Sequence, residues 1–176
     1  MPRGRRKEFA PAEEILKPTL PEPEPSPVRD HPYSRAVAHY VAEFILRSAS
    51  TISVVFENDY EAAILFMTIS NRNSEKVMAD PKLREEYGSY GKTIPLEHVL
   101  LISRMALARA TGLPRETVRR KVARLLEKGW IVELPGGLRA RPDLNRAPEY
   151  MGAIEPLGAN LRRLFTQLLQ TGALNA

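Results

Sequence analysis

The chain has 176 residues, with 26 Lys and Arg against 21 Asp and Glu, a formal net charge of +5, and no cysteine. That length accommodates one domain with a sizeable core, or a small domain with accessory helices. A surplus of +5 names no polyanionic partner by itself, and the missing cysteines exclude disulfides, thiolate metal sites and a cysteine nucleophile, as suits a reducing compartment.

Residues 1–32 hold eight of the 15 prolines. The run "KPTLPEPEPSPVRDHP" supports neither helix nor ladder, because proline removes a donor and fixes φ, so the segment reads as a disordered basic tail or linker. Its opening, Arg3, Gly4, Arg5 and Arg6 after Pro2, is similar to the core of an AT-hook, whose Arg-Gly-Arg lies in a narrow A/T minor groove. The similarity implies a minor-groove arm, and it departs at Arg6, where AT-hooks carry proline. Otherwise the run is a basic terminus that adds nonspecific affinity. No apolar signal region follows, and the most apolar stretch, "YVAEFILRSASTISVVF", is interrupted by Glu43 and Arg47. Neither secretion nor a membrane span is expected, and a cytoplasmic, nucleoid-associated protein is.

Residues 33–73 switch to helical periodicity. Val37, Tyr40, Val41, Phe44, Ile45 and Ser48 share one face of a helix expected from Tyr33 to Val55. Asn58 with Glu61 resembles a capping box, placing a second helix from about Asp59 to Arg72 with Ile64, Leu65, Met67, Thr68 and Ile69 along it. Residues 74–97 are polar, with Pro81, Gly88, Gly91 and Pro95, and read as a long loop holding a short helix near Pro81 to Tyr87.

Residues 98–142 carry the densest signal. "LLIS" starts like a strand, a helix follows from Arg104 to Thr111, and Gly112 ends it. The next helix, 114–128, has Pro114 in its first turn, Val118, Val122, Leu125 and Leu126 on one side, and Gly129 as its stop. "WIVELPGGLRAR" then reads as two short strands joined by a type II turn, with Pro135 at its second position and Gly136 at its third. Residues 143–176 end in a helix, "LGANLRRLFTQLLQ", striped by Leu157, Leu161, Leu164, Phe165, Leu168 and Leu169.

Charge is local too. Between Ser103 and Arg141 ten Lys and Arg meet three Glu, so this stretch carries +7 and the remainder −2. One basic surface on a weakly charged chain is what phosphate contact requires. Helix, glycine turn, helix and hairpin is the order of a winged helix-turn-helix, so the expected fold is mainly α, with flanking N- and C-terminal helices and a small β-hairpin wing. On a helical wheel Glu116, Arg120, Arg124 and Thr117 lie away from Val118 and Val122. An α-helix fits the major groove, where Arg pairs with guanine and Glu with cytosine. Arg115, Glu116 and Arg120 are therefore the candidate base-reading residues, and Thr117, Arg119, Lys121 and Arg124 the candidate phosphate contacts. Arg139 and Arg141 stand two apart on a strand and share a face, as a DNA-contacting wing needs.

"RETVRR", preceded by "LARATGL" and followed by "VARLLEKGWI", resembles the C-terminal DNA-binding domain of the Crp/Fnr regulators. The resemblance covers about residues 102–142. It implies base contacts by Arg115, Glu116 and Arg120 and a phosphate contact by Thr117. It carries over no effector, since that family's β-rich sensor is replaced here by a Pro-rich tail and helices. Helices on both sides of a winged domain give a layout similar to MarR-like regulators, an architectural likeness only.

The expected function is thus sequence-specific binding of double-stranded DNA by a transcriptional regulator acting as a homodimer through its flanking helices. The alternatives are a winged-helix module that docks a protein, such as a replication or phage accessory factor, and a ligand-sensing repressor with its sensor in residues 33–73. His31, His39 and His98 are too scattered for metal ligation, no cofactor is expected, and no phosphate-cradling loop, Gly-flanked serine or paired catalytic carboxylate points to an enzyme.

Overall fold

Glu57 and Asn58, both with positive φ (53° and 63°), turn the chain between its two longest N-terminal helices. In the computed structural model, which describes residues 31–173, these are α1, Ser34–Val55, and α2, Tyr60–Ala79. The Asp59 side chain caps α2 by accepting from the Ala62 N–H at 3.0 Å. The expected capping box at Asn58 and Glu61 is corrected by one residue, because a left-handed Asn58 does not have the extended backbone an N-cap needs.

Helix α2 is the hub of the core. Ala62, Leu65, Phe66, Ile69, Asn73 and Val77 are its buried stripe, whereas Ile64 and Met67 are exposed. It runs past the expected end at Arg72 to Ala79, because Asn73 and Val77 continue the stripe through a polar-looking sequence. Asn73 is buried since it replaces missing backbone partners. Its Nδ2 donates to the carbonyls of Leu100 (2.9 Å) and Leu138 (3.3 Å), and its Oδ1 accepts from the Ala140 N–H (2.8 Å).

Asp80 caps a short helix α3, Pro81–Tyr87, and a 3-10 turn, Leu96–His98, leads to α4, Arg104–Thr111, and α5, Arg115–Glu127. Strands β1, Ile131–Leu134, and β2, Gly137–Ala140, form a two-stranded antiparallel sheet pairing Ile131 with Ala140 and Leu134 with Gly137. Ile102 forms an isolated bridge to Leu138 on the free edge of β2. The fold is mainly helical with this one small sheet. Leu107 of α4, Val118, Val122 and Leu125 of α5, Ile131 and Leu138 close the core against α2.

The last helix, α6, Pro148–Gln170, begins well before the expected Leu157, with Pro148 in its first turn and Pro156 inside it. Helices α1 and α6 pack along each other. Glu43 meets Arg163 and Gln167 while Tyr33 lies beside Gly172, so the pair is antiparallel. Phe56, Phe66, Trp130 and Tyr150 join this pair to the core, with ring centroids 4.8–5.9 Å apart. Along α1 and α6, however, Val41, Ile45, Leu46, Val54, Leu161, Phe165 and Leu169 are exposed. Of the six α1 positions expected on an apolar face, only Ser48 is buried. Among the described residues no helix is long and apolar enough to cross a membrane. The N-terminal run Arg3, Gly4, Arg5 and Arg6 lies outside the described residues.

Candidate nucleic-acid interface

Three residues, Gly112, Leu113 and Pro114, separate α4 from α5. Gly112 is left-handed (φ 69°, ψ 4°) and its N–H bonds to the Ala108 carbonyl, closing α4 so that the chain can leave at an angle. Ser103 caps the other end of α4 by accepting from Ala106 at 3.2 Å. Pro114 precedes α5 without a side-chain cap, so the first-turn N–H groups of α5 have no capping acceptor. Val118, Val122 and Leu125 anchor the inner side of α5, which fixes what its outer side presents.

Arg115, Glu116, Arg119 and Arg120 are exposed, and Thr117 is half-buried. Arg115 and Arg120 have no ion pair or side-chain hydrogen bond among the described residues. Glu116 is held by Arg119 instead of Arg120, with Nε–Oε2 2.8 Å and Nη2–Oε1 2.6 Å. The hydrogen bond from Arg119 keeps the Glu116 carboxyl below its ordinary pKa, and raises that of Arg119 in return. This pair is open to water on both sides, so a base or phosphate can compete for either partner.

Lys121 and Arg124, expected as phosphate contacts, are engaged in ion pairs within the fold. Lys121 Nζ lies 2.6 Å from Asp59 and 3.2 Å from Glu61, and only 13% of its side chain is exposed. Arg124 bonds Glu57 (2.9 Å) and Asp59 (3.2 Å), and Lys128 bonds Glu57 (2.7 Å). The acid missing from α5 is supplied by the α1–α2 corner, more than 60 residues away in sequence. These cations hold α5 onto the N-terminus of α2.

The expected wing residues are engaged within the fold as well. Arg139 turns inward, its Nη2 donating to the Ile94 carbonyl at 2.7 Å, and burial pushes its pKa below the ordinary arginine value. Arg141 pairs with Asp143 at 2.9 Å. Strand alternation does put Arg139 opposite the core-facing Leu138, but that side of the sheet is covered by residues 87–94 and not by solvent. The hairpin tip, Pro135 and Gly136, is exposed and carries no cation.

Of the ten cations between Ser103 and Arg141, four form no ion pair among the described residues: Arg139, which is half-buried, and Arg109, Arg115 and Arg120, which are exposed. Arg109 sits in the last turn of α4, and no pattern singles it out, because only the folded ion pairs show which arginines remain free. No group of three or more His, Asp or Glu side chains that could hold a metal ion occurs among the described residues. No family model matches the chain, and neither the curated proteins nor the solved structures contain a match to it.

Proposed function

We propose that the chain is a winged helix-turn-helix regulator of transcription that binds specific double-stranded DNA, with α5 in the major groove. The observation that carries this reading is the pair Arg115 and Arg120, exposed and unpaired on α5, whose opposite side is buried and whose N-terminus follows a glycine turn. The order of α2, the bridge at Ile102, α4, α5, β1 and β2 supports the winged-helix part. The likeness of "RETVRR" to Crp/Fnr recognition helices supports the roles of Arg115, Glu116 and Arg120 as readers of base edges. Arg109 and Arg119 serve as phosphate contacts, with the open first turn of α5 as a further anion acceptor. The exposed apolar side chains of α1 and α6 meet those of a second copy, which sets two reading helices on half-sites about one DNA turn, roughly 34 Å, apart.

Selection of bound fragments from a random duplex pool supplies the target. On that target Arg120→Ala should weaken binding by about 1–3 kcal/mol while changing affinity for random duplex much less. Arg109→Ala should weaken both alike and flatten the dependence of log affinity on log salt by about one unit. Equal losses on selected and random duplex for Arg120→Ala would refute base reading at that position.

A further inference from the structure

Between the C-terminal part of α1, the flank of α2, residues 87–94, β2 and the first half of α6 lies a cavity of about 500 Å³. That volume is in the range of sites that enclose small organic ligands. Phe56, Phe66 and Trp130 contribute aromatic wall. Lys92, Arg139 and Arg141 also line it, and among the described residues no Asp or Glu does.

Arg139 is the unusual member. Cations withdrawn from water in proteins are paired with carboxylates, and the other partly shielded cations among the described residues obey that rule: Lys121 has Asp59, and Arg141 has Asp143. Arg139 is half-buried and has no carboxylate among the described residues. One of its five N–H donors is committed, to the Ile94 carbonyl. Tyr150, half-buried at the α6 side and hydrogen-bonded with Tyr90, adds no negative charge near neutral pH, since its partial burial pushes its pKa up to about 12.

We infer that this cavity binds a small apolar carboxylate, its charge taken by Arg139 and Lys92 and its hydrocarbon by Phe56, Phe66 and Trp130. A planar guanidinium matches a carboxylate in a two-point contact, and the one half-buried cation here that has no carboxylate among the described residues matches a single charge. A phosphate dianion would surrender more hydration to these walls than one guanidinium restores. The site stands independently of duplex binding.

Trp130 is the chain's single tryptophan, so its fluorescence reports occupancy of the cavity directly in the full-length protein. Titration with naphthalene-2-carboxylate should change that signal saturably, with a dissociation constant tighter than about 1 mM. Naphthalene-2-carboxamide, equal in shape and uncharged, should bind the wild type about ten- to a hundredfold more weakly, a comparison that needs no variant to fold. Arg139→Gln should weaken the carboxylate by a similar factor and leave the carboxamide unchanged, and inorganic phosphate should not compete. Absence of saturable binding by the carboxylate, equal affinity for carboxylate and carboxamide, or competition by phosphate overturns the inference. Failure of duplex selection leaves these readouts unaffected, so the two readings fail separately.

Discussion

Asp59→Ala should lower the free energy of unfolding by about 3 kcal/mol, measured by denaturant titration near pH 7. Two losses combine. The first is the N-cap of α2, where removal of a side-chain acceptor costs about 0.5–2 kcal/mol. The second is the partner of Lys121, which keeps only Glu61 at 3.2 Å in a site where little of its side chain reaches water. Removing one member of a shielded ion pair costs about 3–5 kcal/mol when the other is left alone, and Glu61 retains part of that. Asp59→Asn separates the two, because asparagine caps as well as aspartate but carries no charge, so it should recover about 1 kcal/mol. A cost for the alanine variant no larger than that of an ordinary surface substitution, within about 0.5 kcal/mol, would show that the corner is ornamental.

The same carboxylate sets an acid limit. Burial pushes the Asp59 pKa up, but the hydrogen bonds from Lys121 and the Ala62 N–H and the charges of Lys121 and Arg124 outweigh it and hold the group below its ordinary value of 3.8. A carboxyl whose folded pKa is depressed contributes stability that is fully present above its unfolded value, about 3.9, and is lost as pH falls through the folded value. The stability gap between wild type and Asp59→Ala should therefore hold steady from pH 7 to about pH 5 and close below about pH 4. A gap that persists to pH 2 assigns the effect to packing and not to charge.

The chain announces α4, the glycine turn, α5 and the hairpin in local patterns: a buried row at Val118, Val122 and Leu125, left-handed glycines at 112 and 129, and Pro135-Gly136 between the strands. Those features depend on neighbours within a few residues. Which cations stay free does not, because Lys121 and Arg124 are answered by Glu57 and Asp59 from another helix, and no spacing rule relates them. Arg139 illustrates the limit of strand alternation, which says that it opposes Leu138 but not that a loop covers its side. The extension of α2 to Ala79 was hidden for a related reason: Asn73 is apolar by position, being buried, and polar by identity, because it serves three backbone groups. In the candidate interface, Arg115, Glu116 and Arg120 were legible from the motif, whereas Arg109 emerges only after the ion pairs are known.

Gly137→Ala should destabilise the fold by about 3 kcal/mol or more, and Gly112→Ala by only about 1 kcal/mol, although both glycines have positive φ. At Gly112 (φ 69°) an added Cβ meets nothing within 4 Å, so the cost is the left-handed backbone alone. At Gly137 φ is 146°, and the Cβ would lie 2.7 Å from the Ile102 carbonyl oxygen and 2.8 Å from its carbon. Those are backbone atoms, held by the pair of hydrogen bonds between Ile102 and Leu138 (2.9 and 3.4 Å), so relief requires the whole segment to move off β2. Ser103, the cap of α4, follows Ile102 directly, and displacement there carries through α4 to the turn that aims α5. The strand contact is thus a positioning element for the candidate reading helix. The Gly137→Ala protein should show faster amide exchange at Leu138 and, where it remains folded, weaker binding to selected duplex, while Gly112→Ala keeps wild-type exchange at Leu138. Equal destabilisation by the two substitutions would mean that the contact between Ile102 and β2 yields freely and does not set the angle of α5.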